Sequence, residues 1–287
     1  MEKRDCPCKR KKCPRHGDCA ACRAHHEESG RRVACERESK RLLKKRERKT
    51  EERKMCTSIV FNGKKTIVGW NLDILDMEYR VSASDARVCI EINDAKEGWL
   101  PLFGANARGD FVAMPTCWPY DGRSDPGEGR QSNLLMLDID LLLEKKTLAE
   151  AREIAATGAV CSVPGVSFQA QLSDKAGNVL QIVPGQGSRY LERPRYAVMT
   201  NFSPFKGDSE LHPWMGLDRY NAAVAALEAA DDGFGVEACF DVLQRCAQTV
   251  CPTVVSMVYD AEENAVYWCE RQNWEDVRVQ RMRPECR

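Results

Sequence analysis

The chain has 287 residues, with 43 basic and 43 acidic side chains and therefore no formal net charge. Its first thirty residues are charged and rich in cysteine, which argues against a secretory signal with an apolar core. No apolar run approaches the roughly 18 residues of a membrane-spanning helix, so we expect a cytoplasmic protein with no membrane partner. A chain of this length suits one substantial domain with an appendage.

Charge and cysteine content divide the chain just before Cys56. Residues 1–55 carry 20 Lys or Arg against 10 Asp or Glu, which leaves 23 of the 43 basic and 33 of the 43 acidic residues for the remainder. Six of the 15 cysteines fall in the same first part. We therefore expect two bodies: a Cys/His-rich segment over 1–35, joined by a charged linker or propeptide over 36–55 to a globular domain over 56–287.

The first segment has almost no aliphatic residues from which to build a core. In a chain without an export signal, cysteines this closely spaced favour metal binding over disulfides. A tetrahedral zinc ion held by thiolates and imidazole would stabilise so small a module. The alternative is a basic tail whose reduced thiols bind nothing. The expected zinc ligands are Cys6, Cys8, Cys13, His16, Cys19 and Cys22, of which the Cys19-x-x-Cys22 pair is the strongest element.

The linker is nearly all charged and contains only two leucines, so it cannot bury one face of a helix. Clustered Lys and Arg attract phosphate, which makes nucleic acid a conceivable partner. However, the first aromatic residue of the chain is Phe61, so base stacking is not available to the basic segment. The composition therefore disfavours nucleic-acid binding.

From Cys56 onward, the sequence predicts strands and helices in alternating groups. The predicted strands cover residues 57–61, 66–73, 87–93, a hairpin over 99–115, 166–172, 179–183, 196–200, 253–259 and 265–270. The predicted helices cover 134–146, a segment to 157 behind a Thr147/Glu150 capping box, 217–231 and 235–249. This order is expected of an α+β fold in which two antiparallel sheets lie between helix layers, a four-layer αββα sandwich.

Two motifs open this domain: Met55 to Val60 reads MCTSIV, and Gly69 to Asp73 reads GWNLD. Together they resemble the start of the choloylglycine hydrolase and penicillin V acylase family, including the related acyl-CoA:6-aminopenicillanic acid acyltransferase-like proteins. In that family a Cys-Thr-Ser or similar run begins the mature chain, and a Gly-x-Asn-x-Asp strand pairs with it. The resemblance extends over most of residues 56–287 and continues at VMTN (198–201), GLDR (216–219) and VYD (258–260).

The resemblance implies an N-terminal-nucleophile (Ntn) hydrolase fold, no catalytic cofactor and Cys56 as the nucleophile. An α-amino group with a pKa of about 8 can accept the proton of a thiol with a pKa of about 8.5, so one terminal cysteine can be both nucleophile and base. Asp73 would hold and orient the ammonium group. Asn201 would donate to the oxyanion, and Arg219, which is similar in position to the family's arginine, would organise the nucleophile.

Each of these residues also has an ordinary structural interpretation. Cys56 would then be a small buried hydrophobe, and Asp73 would close a turn. Asn201 would be a satisfied loop amide, and Arg219 would be a surface ion-pair partner on a helix. The order of these residue types along the chain favours the catalytic interpretation.

Two positions depart from the family pattern. Trp70 stands where many bile-salt and penicillin V enzymes have arginine, and no asparagine is found near Thr116, where a second oxyanion donor would fall. The missing arginine favours the broader group of linear-amide hydrolases over true bile-salt hydrolases. We expect cleavage of a linear, non-peptide C–N bond in a small N-acyl amide through a thioester. An acyltransferase on the same scaffold and an inactive zinc-stabilised binding protein stay open, as does a homo-oligomer.

For the α-amine of Cys56 to be free, the peptide bond before it must be absent. One route is autoprocessing, in which the Cys56 thiol attacks the preceding carbonyl, the C–N bond breaks to free the α-amine, and water hydrolyses the resulting thioester. The other is translation from Met55 followed by removal of the methionine. The charge break at this point fits both routes.

Overall fold

The computed structural model describes residues 12–15, 18–28, 54–117, 132–162, 167–207, 211 and 215–284. The chain divides into two compact units, Met1–Arg53 and Lys54–Arg287. In the first unit, helix α1 spans Cys19–Glu28, and the side chain of Asp18 accepts a hydrogen bond from the Ala21 backbone N–H. Over the described ranges, every helix is too short or too polar to cross a bilayer.

The zinc prediction concerns the first unit. Cys6, Cys8 and His16 lie outside the described residues, and only the backbone of Cys19 is described. Cys13 and Cys22 are partly buried. In the part of the chain that the structure describes, no three His, Cys, Asp or Glu side chains are grouped as metal ligands. The zinc site stays a prediction.

The second unit contains fifteen described strands and four described helices. The strands are β1 (Lys54–Asn62), β2 (Thr66–Ile74), β3 (Tyr79–Ala83), β4 (Arg87–Asp94), β5 (Gly98–Asn106), β6 (Phe111–Ala113), β7 (Ser132–Asn133), β8 (Val160–Cys161), β9 (Ala170–Ser173), β10 (Val179–Val183), β11 (Gly187–Leu191), β12 (Tyr196–Met199), β13 (Thr253–Asp260), β14 (Ala265–Glu270) and β15 (Arg278–Arg281). The helices are α2 (Leu134–Leu142), α3 (Leu148–Ala156), α4 (Leu217–Glu228) and α5 (Val236–Arg245).

Two antiparallel sheets make up most of this unit. Sheet A has the order β12-β1-β2-β13-β14-β15, and sheet B has the order β11-β10-β9-β6-β5-β4-β3; β7 and β8 form a short parallel pair. Helices α4 and α5 pack on strands of sheet A, while α2 and α3 pack on strands of sheet B. The predicted α+β class with antiparallel sheets is therefore confirmed.

Side-chain alternation along β1 gives sheet A two apolar faces. Val60 belongs to a buried cluster shared with sheet B, whereas Ile59 and Phe61 belong to a second cluster formed with α4 and α5. The two sheets face each other directly: the amide of Gln171, in sheet B, donates to the hydroxyl of Ser58, in sheet A, at 2.9 Å. The main apolar core thus lies between the sheets.

Most predicted elements are present, with shifted ends. The capping box at Thr147 and Glu150 is confirmed, because the side chain of each residue accepts a hydrogen bond from the backbone N–H of the other. Helix α2 ends at Leu142, four residues early, because the backbone of Glu144 adopts a left-handed φ of 57° that no helix continues. The strand predicted from 166 begins only at Ala170. Strands β3, β7, β8, β11 and β15 were not predicted.

Candidate active site

The β1–β2 hairpin sets the register of the first two candidate residues. Cys56 lies opposite Leu72, and Met55 lies opposite Asp73. The Cys56 side chain is 3% exposed and belongs to the core cluster between the sheets, as does Leu72. Because neighbouring side chains alternate, Asp73 shares the other face with Met55. The peptide bond between residues 55 and 56 therefore lies between the thiol and the carboxylate.

Arg219, in the first turn of α4, connects the candidate residues to one another. Its Nη1 donates to the Cys56 carbonyl oxygen at 2.6 Å and to Thr57 Oγ1 at 2.9 Å. Its Nη2 donates to Asn201 Oδ1 at 2.7 Å, and Nη1 lies 3.9 Å from Asp73 Oδ2. Arg219 is only 5% exposed, so the interpretation as a surface ion-pair partner is wrong.

The start of α4 is shaped to admit this guanidinium. Gly216, the N-cap residue, has a left-handed φ of 83°. A Cβ atom at Gly216 would lie 2.3 Å from Arg219 Nη2, well inside van der Waals contact. Glycine is therefore required here for its backbone conformation and for the space that it leaves.

Asn201 binds the backbone of the candidate nucleophile. The Cys56 N–H donates to Asn201 Oδ1 at 3.1 Å, so this oxygen accepts from both Cys56 and Arg219. The Asn201 Nδ2 donates to the carbonyl oxygen and the hydroxyl of Thr116, each at 2.9 Å. The amide is therefore fixed in orientation, and its donor group is directed toward Thr116.

Asp73 is fully buried and held on both carboxylate oxygens. Thr253 Oγ1 donates to Oδ1 at 2.6 Å, and Gln248 Nε2 donates to Oδ2 at 3.1 Å. Burial raises the pKa of Asp73 to about 7, although the charge of Arg219 and the two hydrogen bonds act in the opposite direction. Near neutral pH, this carboxyl group therefore changes its charge readily.

The Cys56 thiol is uncharged at neutral pH while the chain is continuous through Met55. Burial, and then the Asp73 carboxylate, raise the pKa of the Cys56 thiol well above its ordinary value. A hydrogen bond from the Asp73 backbone and the charge of Arg219 lower it only in part. A new positive charge close to the sulfur would be needed to favour the thiolate.

Trp70 supplies no cation at the position where the family's arginine was expected. It is completely buried and its ring packs against Phe103, with ring centroids 5.4 Å apart. It lies opposite Ser58 in the β1–β2 ladder, on the inner face of sheet A. The cation closest in role is Arg219, which approaches from the helix side.

The structure thus brings Cys56, Asp73, Asn201 and Arg219 into one network of direct or shared contacts. Two of the surrounding partners, Thr57 and Thr116, lie in segments that the sequence had drawn attention to. Sequence reasoning did not find the others, which are Gln248, Cys251 and Thr253. Only their polar or thiol character was visible in the sequence, and many other residues share that character.

The described cavities lie away from the network of Cys56, Asp73, Asn201 and Arg219. One, of about 450 Å³, is lined by Arg87, Arg108 and Lys175 among others, and a second, of about 360 Å³, lies along α4 and α5. Neither is lined by a residue of the network. The network is therefore distinguished by its contacts and its burial.

Comparison with known proteins gives a likeness of fold. No protein-family model and no curated protein matches the sequence. Penicillin V acylase from Agrobacterium tumefaciens is similar in structure, with a TM-score of 0.59 and 14% identity, over 79% of this chain and 86% of that one. Two variants of conjugated bile acid hydrolase from Clostridium perfringens have TM-scores of 0.58 and 0.55 at 12% identity, each over 79% of this chain and 92% of the other.

At 12–14% identity, these likenesses concern the fold alone. They agree with the family resemblance of the opening motifs. The chain shares the fold of conjugated bile acid hydrolase and penicillin V acylase.

Proposed function

We propose that this protein is a cysteine Ntn hydrolase that cleaves a linear, non-peptide amide bond through a thioester on Cys56. The observation that carries the proposal is the set of bonds around that residue. Asn201 accepts from its N–H, and Arg219 donates to its carbonyl oxygen. Buried polar side chains therefore hold the backbone of this cysteine at both its N–H and its carbonyl oxygen. The contacts of the helices and sheets also support the four-layer αββα arrangement for this domain.

In the proposed reaction, Cys56 is the first residue of the active chain. Its α-amine takes the thiol proton, and the sulfur attacks the carbonyl carbon of the substrate amide. The tetrahedral intermediate then collapses, and the α-ammonium group returns its proton to the departing amine. A thioester forms, and water attacks it to release a carboxylic acid and restore the thiol. Cys56 thus carries the proton on its α-amine and the acyl group on its sulfur.

Asp73 and Arg219 would set the charge balance of this step. Asp73 lies opposite Met55, on the side from which the new α-ammonium group would emerge. A positive charge placed there lowers the pKa of Asp73 and of the Cys56 thiol together. The terminal amine therefore supplies the cation that the buried thiol lacks in the continuous chain.

Asn201 would contribute to the oxyanion hole through its Nδ2 group. In the continuous chain this group donates to Thr116. Stabilisation of an oxyanion requires one N–H to turn toward the substrate or to be shared with it. We propose that Thr116 holds the amide in place until the substrate arrives, and that no second asparagine is used.

The substrate class follows from the fold and from Trp70. The structural neighbours are described as a penicillin V acylase and a conjugated bile acid hydrolase. Because Trp70 replaces the expected arginine, we propose an N-acylated amine or amino acid as the substrate and regard conjugated bile acids as the less favoured choice. We also retain zinc in the Cys/His-rich segment as a proposal, with no role in catalysis.

The experiment compares acylation of Cys56 with the state of the N-terminus. Intact mass of the purified protein identifies its first residue, and p-nitrophenyl acetate serves as the acylating probe. Hydrolysis is then followed for penicillin V and for simple N-acyl amino acids. We expect one acetyl group per chain on Cys56, only in protein that begins at this residue.

Cys56→Ala should abolish acylation, whereas Cys161→Ala serves as the matched control because Cys161 is also buried, at 6% exposed against 3%, and lies outside the network. Full activity in protein that retains residues 1–55 would refute the mechanism. Acylation that persists in Cys56→Ala would refute the choice of nucleophile.

A further inference from the structure

A β-bulge in β13 decides which side chain faces Asp73. Strand β13 pairs with β2 in the register Val255 opposite Leu72, but the next pair is Thr253 opposite Asp73. Without the irregularity, residue 254, a valine, would lie opposite Asp73. The bulge skips that valine and presents a hydroxyl group in its place. Bulges next to functional sites commonly redirect a side chain in this way.

The hydroxyl group of Thr253 is fixed in the direction of Asp73. It is 1% exposed and donates to Asp73 Oδ1 at 2.6 Å. It also accepts a hydrogen bond from the Gln248 backbone N–H at 2.9 Å, while the Thr253 N–H donates to the Gln248 carbonyl oxygen at 3.1 Å. The single hydroxyl proton is thus donated to the carboxylate, and one of the two oxygen lone pairs accepts from the Gln248 N–H.

The same turn, residues 248–253, makes two further contacts near Cys56. The Gln248 side chain donates to the second oxygen of Asp73 at 3.1 Å. The sulfur of Cys251 accepts a hydrogen bond from the Met55 backbone. A single turn therefore contacts the carboxylate and the residue directly before the candidate nucleophile.

On the basis of the proposed function, we propose that Thr253 is a positioning residue: the bulge places its hydroxyl on Asp73 and so keeps the carboxylate aimed at the α-amine of Cys56. Thr253 itself touches neither the substrate nor the reacting atoms. Loss of its hydroxyl disfavours the charged carboxylate, because a buried anion that loses a donor is harder to form. Loss of the β13 bulge would have the same effect through Val254.

Several ionisable groups surround Asp73 and must be considered in its titration. Arg219 approaches from α4 and favours the carboxylate. The thiols of Cys56 from β1, Cys246 at the end of α5 and Cys251 from the turn are also coupled to it by charge. Burial raises the pKa of Cys246 and Cys251 to about 11, so both stay neutral during an Asp73 titration between pH 5 and 9.

The test measures the pKa of the Asp73 carboxyl group directly. The expressed protein, with its first residue identified as Cys56 by intact mass, is labelled with carboxyl-¹³C aspartate. The Asp73 signal is assigned by its absence in Asp73→Asn, and the midpoint of its titration with pH is recorded. We expect Thr253→Val, which keeps the shape and removes the hydroxyl, to raise the midpoint by about one pH unit. Thr253→Ser, the matched control, should return it to the wild-type value. The acidic limb of Cys56 acylation by p-nitrophenyl acetate should move with it.

The outcomes separate this role from the function itself. If wild-type protein whose first residue is Cys56, by intact mass, is not acylated there, the proposed hydrolase fails, whatever Thr253 does. If wild type is acylated but Thr253→Val keeps the wild-type midpoint and pH profile, the positioning role fails alone. Should Thr253→Val not fold, Thr253→Ala is used. If neither variant folds even in an Asp73→Asn background, Thr253 is a structural residue only and the inference is rejected.

Discussion

Replacement of Arg219 by methionine tests the centre of the network. Methionine keeps much of the buried apolar contact of the arginine stem but leaves the acceptors on Cys56, Thr57 and Asn201 without their donor. Removal of one partner from a buried charged network typically costs about 3–5 kcal/mol. We expect a loss of this size in the free energy of unfolding at pH 6.

A second contribution depends on pH through Asp73. Its folded pKa of about 7 lies above the unfolded value of about 3.9. Its contribution to stability is therefore present in full below about pH 4 and is lost as pH rises to about 7, by roughly 4 kcal/mol in wild type. Without the charge of Arg219 the folded pKa rises further, and the loss continues above pH 7. Arg219→Met should cost about 1.4 kcal/mol more at pH 8 than at pH 6.

Urea denaturation at the two pH values measures both contributions. Arg278→Met is the matched control, since Arg278 is exposed and pairs with Glu270 at the surface, where ion pairs are worth less than about 1 kcal/mol. In an Asp73→Asn background the pH-dependent part should vanish. Equal losses for Arg219→Met at pH 6 and pH 8, or a loss no larger than that of Arg278→Met, would refute the reasoning.

Three further predictions concern other parts of the chain. Gly216→Ala should lower the melting temperature and slow Cys56 acylation, because its Cβ collides with Arg219; unchanged acylation would show that the guanidinium can move. Asp138 is buried, burial raises its pKa, and its carboxylate oxygens have no hydrogen-bond partner among the described residues. Asp138→Leu should therefore raise the free energy of unfolding by about 1–3 kcal/mol, more at pH 8 than at pH 5 in urea titrations. Elemental analysis of the full chain should find zinc that EDTA removes without loss of acylation, whereas metal-free protein would contradict the zinc proposal.

Local patterns in the sequence determined most of the secondary structure. The strand predicted over residues 179–183 coincides with β10, and the one over 265–270 coincides with β14. The Thr147 capping box is formed as written in the sequence. Elements that escaped prediction include β3 and β15, where exposed and partly buried positions do not alternate cleanly. Such strands depend on pairing with a neighbour and carry a weak signal of their own.

The sequence also singled out Cys56, Asp73, Asn201 and Arg219, through a motif that resembles a known family. What it did not contain was the set of partners that holds them. Cys56 and Asn201 are 145 positions apart, and Asp73 and Thr253 are 180 apart. Contacts over such separations are fixed by strand order and register, which no local pattern records.

The bulge in β13 is the clearest case of a feature decided only in three dimensions. In the sequence, Thr253 and Val254 are ordinary members of one strand, and nothing marks either as the neighbour of Asp73. The register shift chooses the threonine. A shift of one residue exchanges the two faces of a strand, so the polar partner of a buried carboxylate depends on how β13 and β2 are aligned. Residue types came from the sequence, and their pairing came from the packing of the sheets.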